Sequence, residues 1–199
     1  MDKIDTLDTF ARKSWNLLYK AAFLRKGPMQ QGVMGTIGLD GQVQQRVVVI
    51  RAVDVTNREL LFFTDARSPK VQQLHKKPEV SWLFWDPKKY LQLRLQSTVS
   101  FHLGDEFARA YWEKLPVEGR KNYASLLPPS TPVGEYSDGL PSSWDSNMNI
   151  KDTEPFFEQF MVGRCKIREM QCLLLHRDGH QHARFRWTPQ ETLAQWLIP

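Results

Sequence analysis

The sequence has few features that would cross-link the chain or hold it in a membrane. Its only cysteines are Cys165 and Cys172, which lack the close paired spacing of a zinc site, so we expect two free thiols in a reducing, cytoplasmic environment. No stretch of about 18 apolar residues is present, and no apolar run follows a basic N-terminus, so we expect neither a membrane span nor a signal peptide. The patterns typical of serine hydrolases, P-loop proteins and dinucleotide-binding folds are also missing, which leaves those classes without support.

Basic residues outnumber acidic ones, but they form no long stripe. The 199 residues include 27 Lys and Arg against 22 Asp and Glu, a formal net charge of +5, and the densest basic clusters are the short runs HKKP and DPKKY. This balance suits an acidic ligand such as a phosphate ester, whereas the scattering predicts no nucleic-acid partner. With 41% hydrophobic residues the chain can bury a sizeable core, and we expect one domain over residues 1–199.

The apolar pattern predicts a mainly β protein with helices, of the α+β class. A helical stripe covers residues 6–25, short strands at hairpin spacing follow, and shorter helices are expected at PKVQQLHKK and DEFARAYWEKL. Residues 127–155 are rich in Pro, Ser, Gly and Asp and predict a long loop, after which strands are expected over 159–199. Because few helices separate the strands, the pattern favours an antiparallel barrel.

The segment LLFFTDARSPKVQQL, residues 60–74, ends an apolar strand and begins a helix within a few residues. Ser68 stands directly before a proline, which is typical of a helix start. Free backbone N–H groups at such a start attract anions, and Thr64, Arg67 and Lys70 add a hydroxyl and two charges at the same place. The combination suits a phosphate monoester; the alternative is an ordinary strand-to-helix turn with two solvated cations.

The preceding predicted strand, QQRVVVIRA, carries Arg46 and Arg51 five residues apart. Because strand side chains alternate, the two arginines point to opposite faces, and Arg46 shares its face with Val48 and Ile50. An arginine on an otherwise apolar face needs an anionic or planar partner, and a flavin mononucleotide offers both. The alternative is a strand-end arginine that pairs with a surface carboxylate.

Three motifs in order, RVVVIR, LFFTDARSPK and YLQLRL, resemble the FMN-binding split-barrel proteins related to pyridoxamine 5'-phosphate oxidase. The form of the second motif is more similar to an uncharacterised bacterial branch than to the true oxidase. The resemblance covers roughly residues 30–104 and returns at HARFRW and the terminal WLIP. It implies an antiparallel Greek-key split β-barrel that forms a homodimer, with one FMN at each end of the interface.

The resemblance also assigns cofactor-binding positions. Arg46 matches the arginine that reaches the flavin and ribityl chain, and Gln92 matches a glutamine that hydrogen-bonds the flavin. Where the oxidase has an arginine before the phosphate-binding lysine, this chain has Pro69, so Arg67 is expected to supply the charge. Arg184 matches an arginine contributed by the second subunit. The full set expected at FMN is Arg46, Val47, Val48, Val49, Arg51, Phe63, Thr64, Arg67, Ser68, Lys70, Gln92 and Arg184.

The substrate positions depart from the oxidase pattern. Of the residues that hold the oxidase's substrate phosphate, only a tyrosine, Tyr111, is kept as such; Leu115 and Gly119 replace an arginine and a serine. Two further substrate-binding residues of the oxidase, an arginine and a histidine, align with His180 and His182. Of these two, only the histidine is kept in this chain. The sequence therefore implies a small-molecule substrate but an altered site, formed by Arg51, Tyr111, His180 and His182.

The first functional hypothesis is an FMN-dependent oxidoreductase, for which no catalytic acid or base is named because hydride transfer requires none. The alternative is a non-catalytic flavin-binding or carrier module, suggested by the losses at the substrate site. A third class, a nucleic-acid or haem binder, rests only on the basic pI and the histidines. His176, His180 and His182 are close in sequence, but hairpin histidines are commonly solvated, and no metal is expected.

Overall fold

The computed structural model describes residues 3–145 and 147–199, in which eight strands form one antiparallel sheet. Along the strand Glu79–Asp86 every second side chain is buried, as expected when one face of a sheet covers a core. The strands are β1 (Gln31–Ile37), β2 (Val43–Asp54), β3 (Glu59–Asp65), β4 (Glu79–Asp86), β5 (Leu91–Leu103), β6 (Phe160–Leu174), β7 (Gln181–Trp187) and β8 (Thr192–Leu197). The α-helices are α1 (Leu7–Leu24), α2 (Pro69–Lys76), α3 (Glu106–Trp112) and α4 (Val117–Arg120). Short 3₁₀ helices cover Pro28–Gln30, Lys121–Tyr123 and Ile150–Gln159.

The sheet closes into a barrel because β3 pairs on one side with β2 and on the other with β6. The spatial order β3-β2-β1-β4-β5-β6 differs from the chain order, and the chain passes from β3 to β4 through α2. Strands β7 and β8 extend the sheet beyond β6. The predicted antiparallel barrel with Greek-key order is therefore confirmed.

Helix α1 covers one side of the barrel. It begins after Thr6, whose hydroxyl accepts a hydrogen bond from a backbone N–H of the first turn at 3.2 Å, and ends at Arg25, which has a left-handed φ of 51°. Phe10 and Leu18 on its inner face are fully buried in the main core. The helix predicted over residues 6–25 is confirmed to within one residue at each end. Within the described residues, no helix is long and apolar enough to cross a membrane.

Close aromatic packing fills the barrel interior. Phe62 lies edge-on to Trp82, with 5.9 Å between the ring centroids, and both rings are fully buried. Gly163 on β6 makes room for Phe62, since a Cβ atom at this glycine would lie 2.3 Å from the phenylalanine ring. A glycine is required there by the close approach of the two strands.

A second core cluster joins α3 and the later helical segments to the outside of the barrel. Arg120, only 2% exposed, holds this layer together. Its guanidinium donates to the carbonyl oxygens of Trp112 at 3.1 Å and Ile150 at 3.2 Å. It also forms an ion pair with Glu154 at 2.7 Å. The arginine thus links three segments of this layer through one buried guanidinium.

The loop predicted over residues 127–155 is too long at its C-terminal end. The chain already becomes helical at Ile150–Gln159, where Asn149 and Asp152 form a reciprocal capping box. The Pro-rich and Ser-rich composition concealed this start, because Asn and Asp favour both loops and helix caps. Residue 146, within the predicted loop, lies outside the described residues.

Candidate functional site

The candidate site is a cavity of about 360 Å³ at a fork between β2 and β3. The pairing of these strands ends at Ile50 and Phe62, beyond which β2 continues toward Val43 beside β1 alone. The N-terminal half of β2 therefore presents an unpaired edge to the cavity. Such an edge offers backbone donors and acceptors to a flat, hydrogen-bonding molecule. Of the residues predicted at FMN, those that line the cavity are Arg46, Val47, Val48, Val49, Arg51, Phe63, Thr64, Ser68 and Lys70.

Thr64, Ser68 and Lys70 form what we call the hydroxyl–lysine cluster at one end of the cavity. The ammonium of Lys70 donates to both hydroxyls at 3.0 Å, and the hydroxyls lie 3.1 Å from each other. Thr64 is 5% exposed and Ser68 1% exposed. Ser68 occupies the N-cap position of α2, yet its hydroxyl makes no capping bond to the backbone. The side chain expected to cap the helix is turned toward the cluster instead.

Arg46 is held at the inner wall by partners that the sequence did not indicate. Its guanidinium donates to the hydroxyl of Thr36 at 2.6 Å and to the side-chain oxygen of Gln73 at 3.2 Å. Thr36 in turn donates to that same oxygen at 2.7 Å. Both partners are buried. No motif in the sequence marks Thr36, and Gln73 is marked only by its position on the inner face of α2. They orient Arg46 and leave part of its guanidinium toward the cavity.

The cavity concentrates positive charge on side chains that are partly buried. Burial lowers the pKa of Lys70, and the nearby positive charge of Arg46 lowers it further, although Asp65 acts in the opposite direction. Burial also lowers the pKa of Arg46. Two cations held in this way gain stability from an anion placed between them, which is the usual reason for such a pair in a cleft.

Arg67, predicted to supply charge to a phosphate, does not line the cavity. Its guanidinium makes a bidentate ion pair with Asp65, with distances of 2.7 and 3.1 Å, and donates to the backbone carbonyl of Ser125 at 2.8 Å. It therefore ties the following segment to the turn between β3 and α2. That segment brings Asn122 and Tyr123 into the cavity wall, two residues that sequence reasoning missed because their contacts are long-range.

Two predicted substrate residues contact the ring of Phe63 but line different cavities. The guanidinium carbon of Arg51 is 5.5 Å from the ring centroid, and this arginine lines the cavity. Tyr111 packs edge-on against the same phenylalanine, with 5.5 Å between centroids, but lines a neighbouring cavity with Phe107 and Arg164. Within one chain, Tyr111 therefore does not line the candidate cofactor cavity.

The remaining predicted residues lie elsewhere, on the outer face of the sheet and its hairpin. Gln92 of β5 pairs in register with Leu173 of β6, which pairs with His182 of β7. Arg184, two residues further, has a buried Nε without a hydrogen-bond partner among the described residues. His180 sits in the hairpin before β7 and accepts a bond from the backbone N–H of His176 at 3.1 Å. Within the described chain, no group of three or more His, Cys, Asp or Glu residues is arranged to hold a metal ion.

Comparison with known proteins agrees with this geometry. Residues 12–102 match the family model of the pyridoxamine 5'-phosphate oxidase FMN-binding domain. A putative pyridoxamine 5'-phosphate oxidase of Caenorhabditis elegans is 36% identical over 87 residues, or 44% of this chain and 37% of that protein. The pyridoxine/pyridoxamine 5'-phosphate oxidase of Thermosynechococcus vestitus is 31% identical over 87 residues, or 44% of this chain and 40% of that enzyme. The matched part thus spans about two fifths of these relatives.

A solved structure shares the fold over the whole chain. It is a pyridoxamine 5'-phosphate oxidase-related, FMN-binding protein from Nostoc punctiforme, with a TM-score of 0.72 and 17% identity, and all of both chains is covered. At this identity the likeness concerns the fold. The shared fold includes the C-terminal strands and helices, which lie beyond the residues 12–102 that match the family model.

Proposed function

We propose that this chain, which belongs through residues 12–102 to the pyridoxamine 5'-phosphate oxidase FMN-binding family, holds FMN in the cavity at the β2–β3 fork and acts as an FMN-dependent oxidoreductase. The observation that carries the proposal is the hydroxyl–lysine cluster: two buried hydroxyls bridged by a lysine whose pKa is lowered by burial. Bound FMN supplies redox chemistry, and the protein supplies binding, orientation and local charge.

The cluster fits the phosphate of FMN in charge and in donor type. Lys70 provides an ammonium, and the hydroxyls of Thr64 and Ser68 can donate to phosphate oxygens. Because Ser68 does not cap α2, the N-terminus of that eight-residue helix also remains available to an anion. Charge-assisted bonds of this kind are among the stronger contacts in proteins.

The rest of the cavity suits the isoalloxazine ring. The free edge formed by Val47, Val48 and Val49 can bond to the polar edge of a flat ring, and Phe63 offers an apolar surface. Arg46 and Arg51 place positive charge at the same wall, which favours a ring that gains negative charge on reduction. These residues orient and stabilise the cofactor; none is needed as a proton donor or acceptor for hydride transfer.

The outer sheet face supports a homodimer. Val47, Val33 and Leu83 lie in register across β2, β1 and β4, followed by Arg94 on β5. Val47 is 64% exposed and Leu83 39% exposed, so this row leaves apolar surface uncovered. We propose that a second copy covers it and directs its own Arg184 toward the cavity, where the unpartnered Nε would find an anion or an acceptor. Gln92 and His182 share that face.

The substrate site is proposed to be an altered one, formed by Arg51 and Tyr111 with His180 and His182 of the second copy. A non-catalytic FMN carrier is the second candidate, because Tyr111 lies outside the cofactor cavity and Leu115 packs in the second core cluster. The free cysteines, Cys165 and Cys172, are buried, and burial raises the pKa of each thiol to about 12. Unreactive free thiols are consistent with a reducing compartment such as the cytoplasm.

Calorimetry with FMN and with riboflavin tests the cofactor site. Wild-type protein should bind FMN at least about tenfold more tightly than riboflavin, because only FMN carries the phosphate for the hydroxyl–lysine cluster. Equal affinities would remove the basis for the proposal. Anaerobic mixing of FMN-loaded protein with NADH, NADPH or a panel of amines then separates an oxidoreductase, which is reduced rapidly by some donor, from a carrier, which is not.

Sedimentation velocity tests the dimer. Leu83→Asp places a charge in the apolar row and should convert a dimer to a monomer, whereas Leu24→Asp, the same change at a 53% exposed leucine of α1, should not. A wild-type monomer in the presence of saturating FMN would contradict the proposed interface.

A further inference from the structure

A second, larger cavity of about 690 Å³ lies away from the β2–β3 fork. The turn between β2 and β3, a bulge in β6 and the turn after β7 enclose it, and none of its lining residues lines the fork cavity. Its walls include the apolar surfaces of Trp187 and Pro189. This size and mixed lining are typical of sites for small molecules.

The polar part of the lining is strongly basic. Arg58, Lys166, Arg168 and Arg186 contribute four positive charges and Glu169 one negative charge, so the lining carries a net charge of +3 (four minus one). Glu169 is already neutralised by Arg186, whose guanidinium contacts it at 2.7 and 3.0 Å. Lys166 lies 3.5 Å from a carboxylate oxygen of the adjacent Glu59. Among the described residues, Arg58 and Arg168 are therefore the two cations of this lining that have no counter-ion.

Arg58 is held in a conformation that an arginine seldom adopts. Its φ is 54°, in the left-handed region, and its carbonyl accepts a hydrogen bond from the backbone N–H of Ile167 at 2.9 Å. The guanidinium lies 5.5 Å from the ring centroid of Trp187. Its Nε is buried and has no hydrogen-bond partner among the described residues. The two terminal nitrogens of this guanidinium also make no hydrogen bond within the described residues, and, unlike Nε, they are not sealed inside the protein. They are the groups that an anion in the cavity would reach.

A strand bulge aims Arg168 at the same cavity. In the β5–β6 pairing, Gln96 lies opposite Glu169 and Ser97 opposite Ile167, so Arg168 is the extra residue without a cross-strand partner. Bulges commonly redirect a side chain in this way. Arg168 is exposed and makes no ion pair or hydrogen bond within the described part of the chain.

We propose that this cavity binds a small organic anion with a flat apolar body. Its carboxylate or phosphate group would bond to Arg58 and Arg168, and its ring would lie against Trp187 and Pro189, beside the Arg58 guanidinium. This site is independent of the FMN cavity and adds a second ligand to the molecule.

Fluorescence titration with 8-anilinonaphthalene-1-sulfonate tests the site, because this probe combines an aromatic body with one anionic group. We expect one probe molecule per chain, with the same affinity in the FMN-free protein and in protein that carries one equivalent of FMN in the fork cavity. Arg58→Gln and Arg168→Gln should each weaken binding by about tenfold. Arg177→Gln removes the same charge from a 90% exposed side chain in the β6–β7 hairpin and should leave binding unchanged.

Chemical variation of the probe identifies the group that is recognised. The neutral analogue N-phenyl-1-naphthylamine should bind at least about tenfold more weakly than the sulfonate, and competition by 2-naphthoate or 2-naphthyl phosphate tells a carboxylate site from a phosphate site. Unchanged affinity in both arginine variants, or equal binding of the neutral analogue, would each overturn the proposal.

Discussion

Replacing Lys70 with methionine should separate cofactor binding from folding stability. In the ligand-free chain, burial and the neighbouring Arg46 lower the pKa of the Lys70 ammonium. The charged form of this lysine therefore destabilises the ligand-free fold. Without the lysine, the hydroxyls of Thr64 and Ser68 remain 3.1 Å apart and can still bond to each other. We therefore expect Lys70→Met to change the free energy of unfolding by less than about 1 kcal/mol.

FMN binding should respond far more strongly to the same change. Loss of a charge-assisted contact to the phosphate costs about 1.5–3 kcal/mol, which corresponds to roughly 10- to 160-fold weaker binding. Riboflavin lacks the phosphate, so its affinity should stay within about twofold. Flavin-fluorescence titrations and urea unfolding measure the two effects, with Lys77→Met, an exposed lysine just after α2, as the matched control. Equal losses for FMN and riboflavin, or no loss for either, would refute the reasoning.

The pH dependence of Lys70 provides an independent check. Because the folded pKa is below the usual 10.5, the protonated lysine destabilises the ligand-free fold, and stability should rise as the pH increases from that lowered pKa toward 10.5. A phosphate beside the ammonium favours its charged form, so the ratio of FMN to riboflavin affinity should fall across the same pH window. Lys70→Met should abolish that fall.

Three further substitutions test the framework around the site. Arg120→Met should lower the free energy of unfolding by roughly 2–4 kcal/mol, measured by urea unfolding, because it removes the five hydrogen bonds that this buried guanidinium makes. Gly163→Ala should cost about 1–3 kcal/mol, since its Cβ would lie 2.3 Å from Phe62, whereas Gly35→Ala, with its nearest atom at 3.6 Å, should cost less than about 1 kcal/mol. Arg67→Met should weaken FMN binding less than the Lys70 variant but speed proteolysis near residues 124–130, as expected of a tether rather than a phosphate ligand.

The parts of the fold that the sequence predicted are those governed by local pattern. Alternation of buried and exposed residues indicated the strands, and the serine–proline pair at residues 68 and 69 indicated the start of α2. The same locality explains why Thr64, Ser68 and Lys70 were identified together: they lie within a segment of seven residues that links β3 to α2. The prediction did not require knowledge of the tertiary structure.

Long-range partners were beyond the reach of the same reasoning. Arg67 was expected at a phosphate because of its position in the turn, but Asp65 and the carbonyl of Ser125 occupy its guanidinium. The contacts that orient Arg46 come from Thr36 on β1 and Gln73 on α2, and neither residue carries a motif. Their roles depend on which elements the barrel brings together, and this information is not contained in periodicity.

The closed barrel also explains why the residues expected at FMN and at the substrate lie in separate places. The cavity opens at the β2–β3 fork, whereas Gln92, His182 and Arg184 lie on the outer face of β5 and β7. If a second copy supplies the outer-face group to the cavity, FMN binding and dimer formation are one linked equilibrium, because a ligand that binds only the dimer stabilises it by mass action. Leu83→Asp should then weaken FMN binding although Leu83 does not line the cavity, and added FMN should oppose dissociation of the wild-type dimer. A monomeric Leu83→Asp variant with unchanged FMN affinity would mean that one chain forms the complete site.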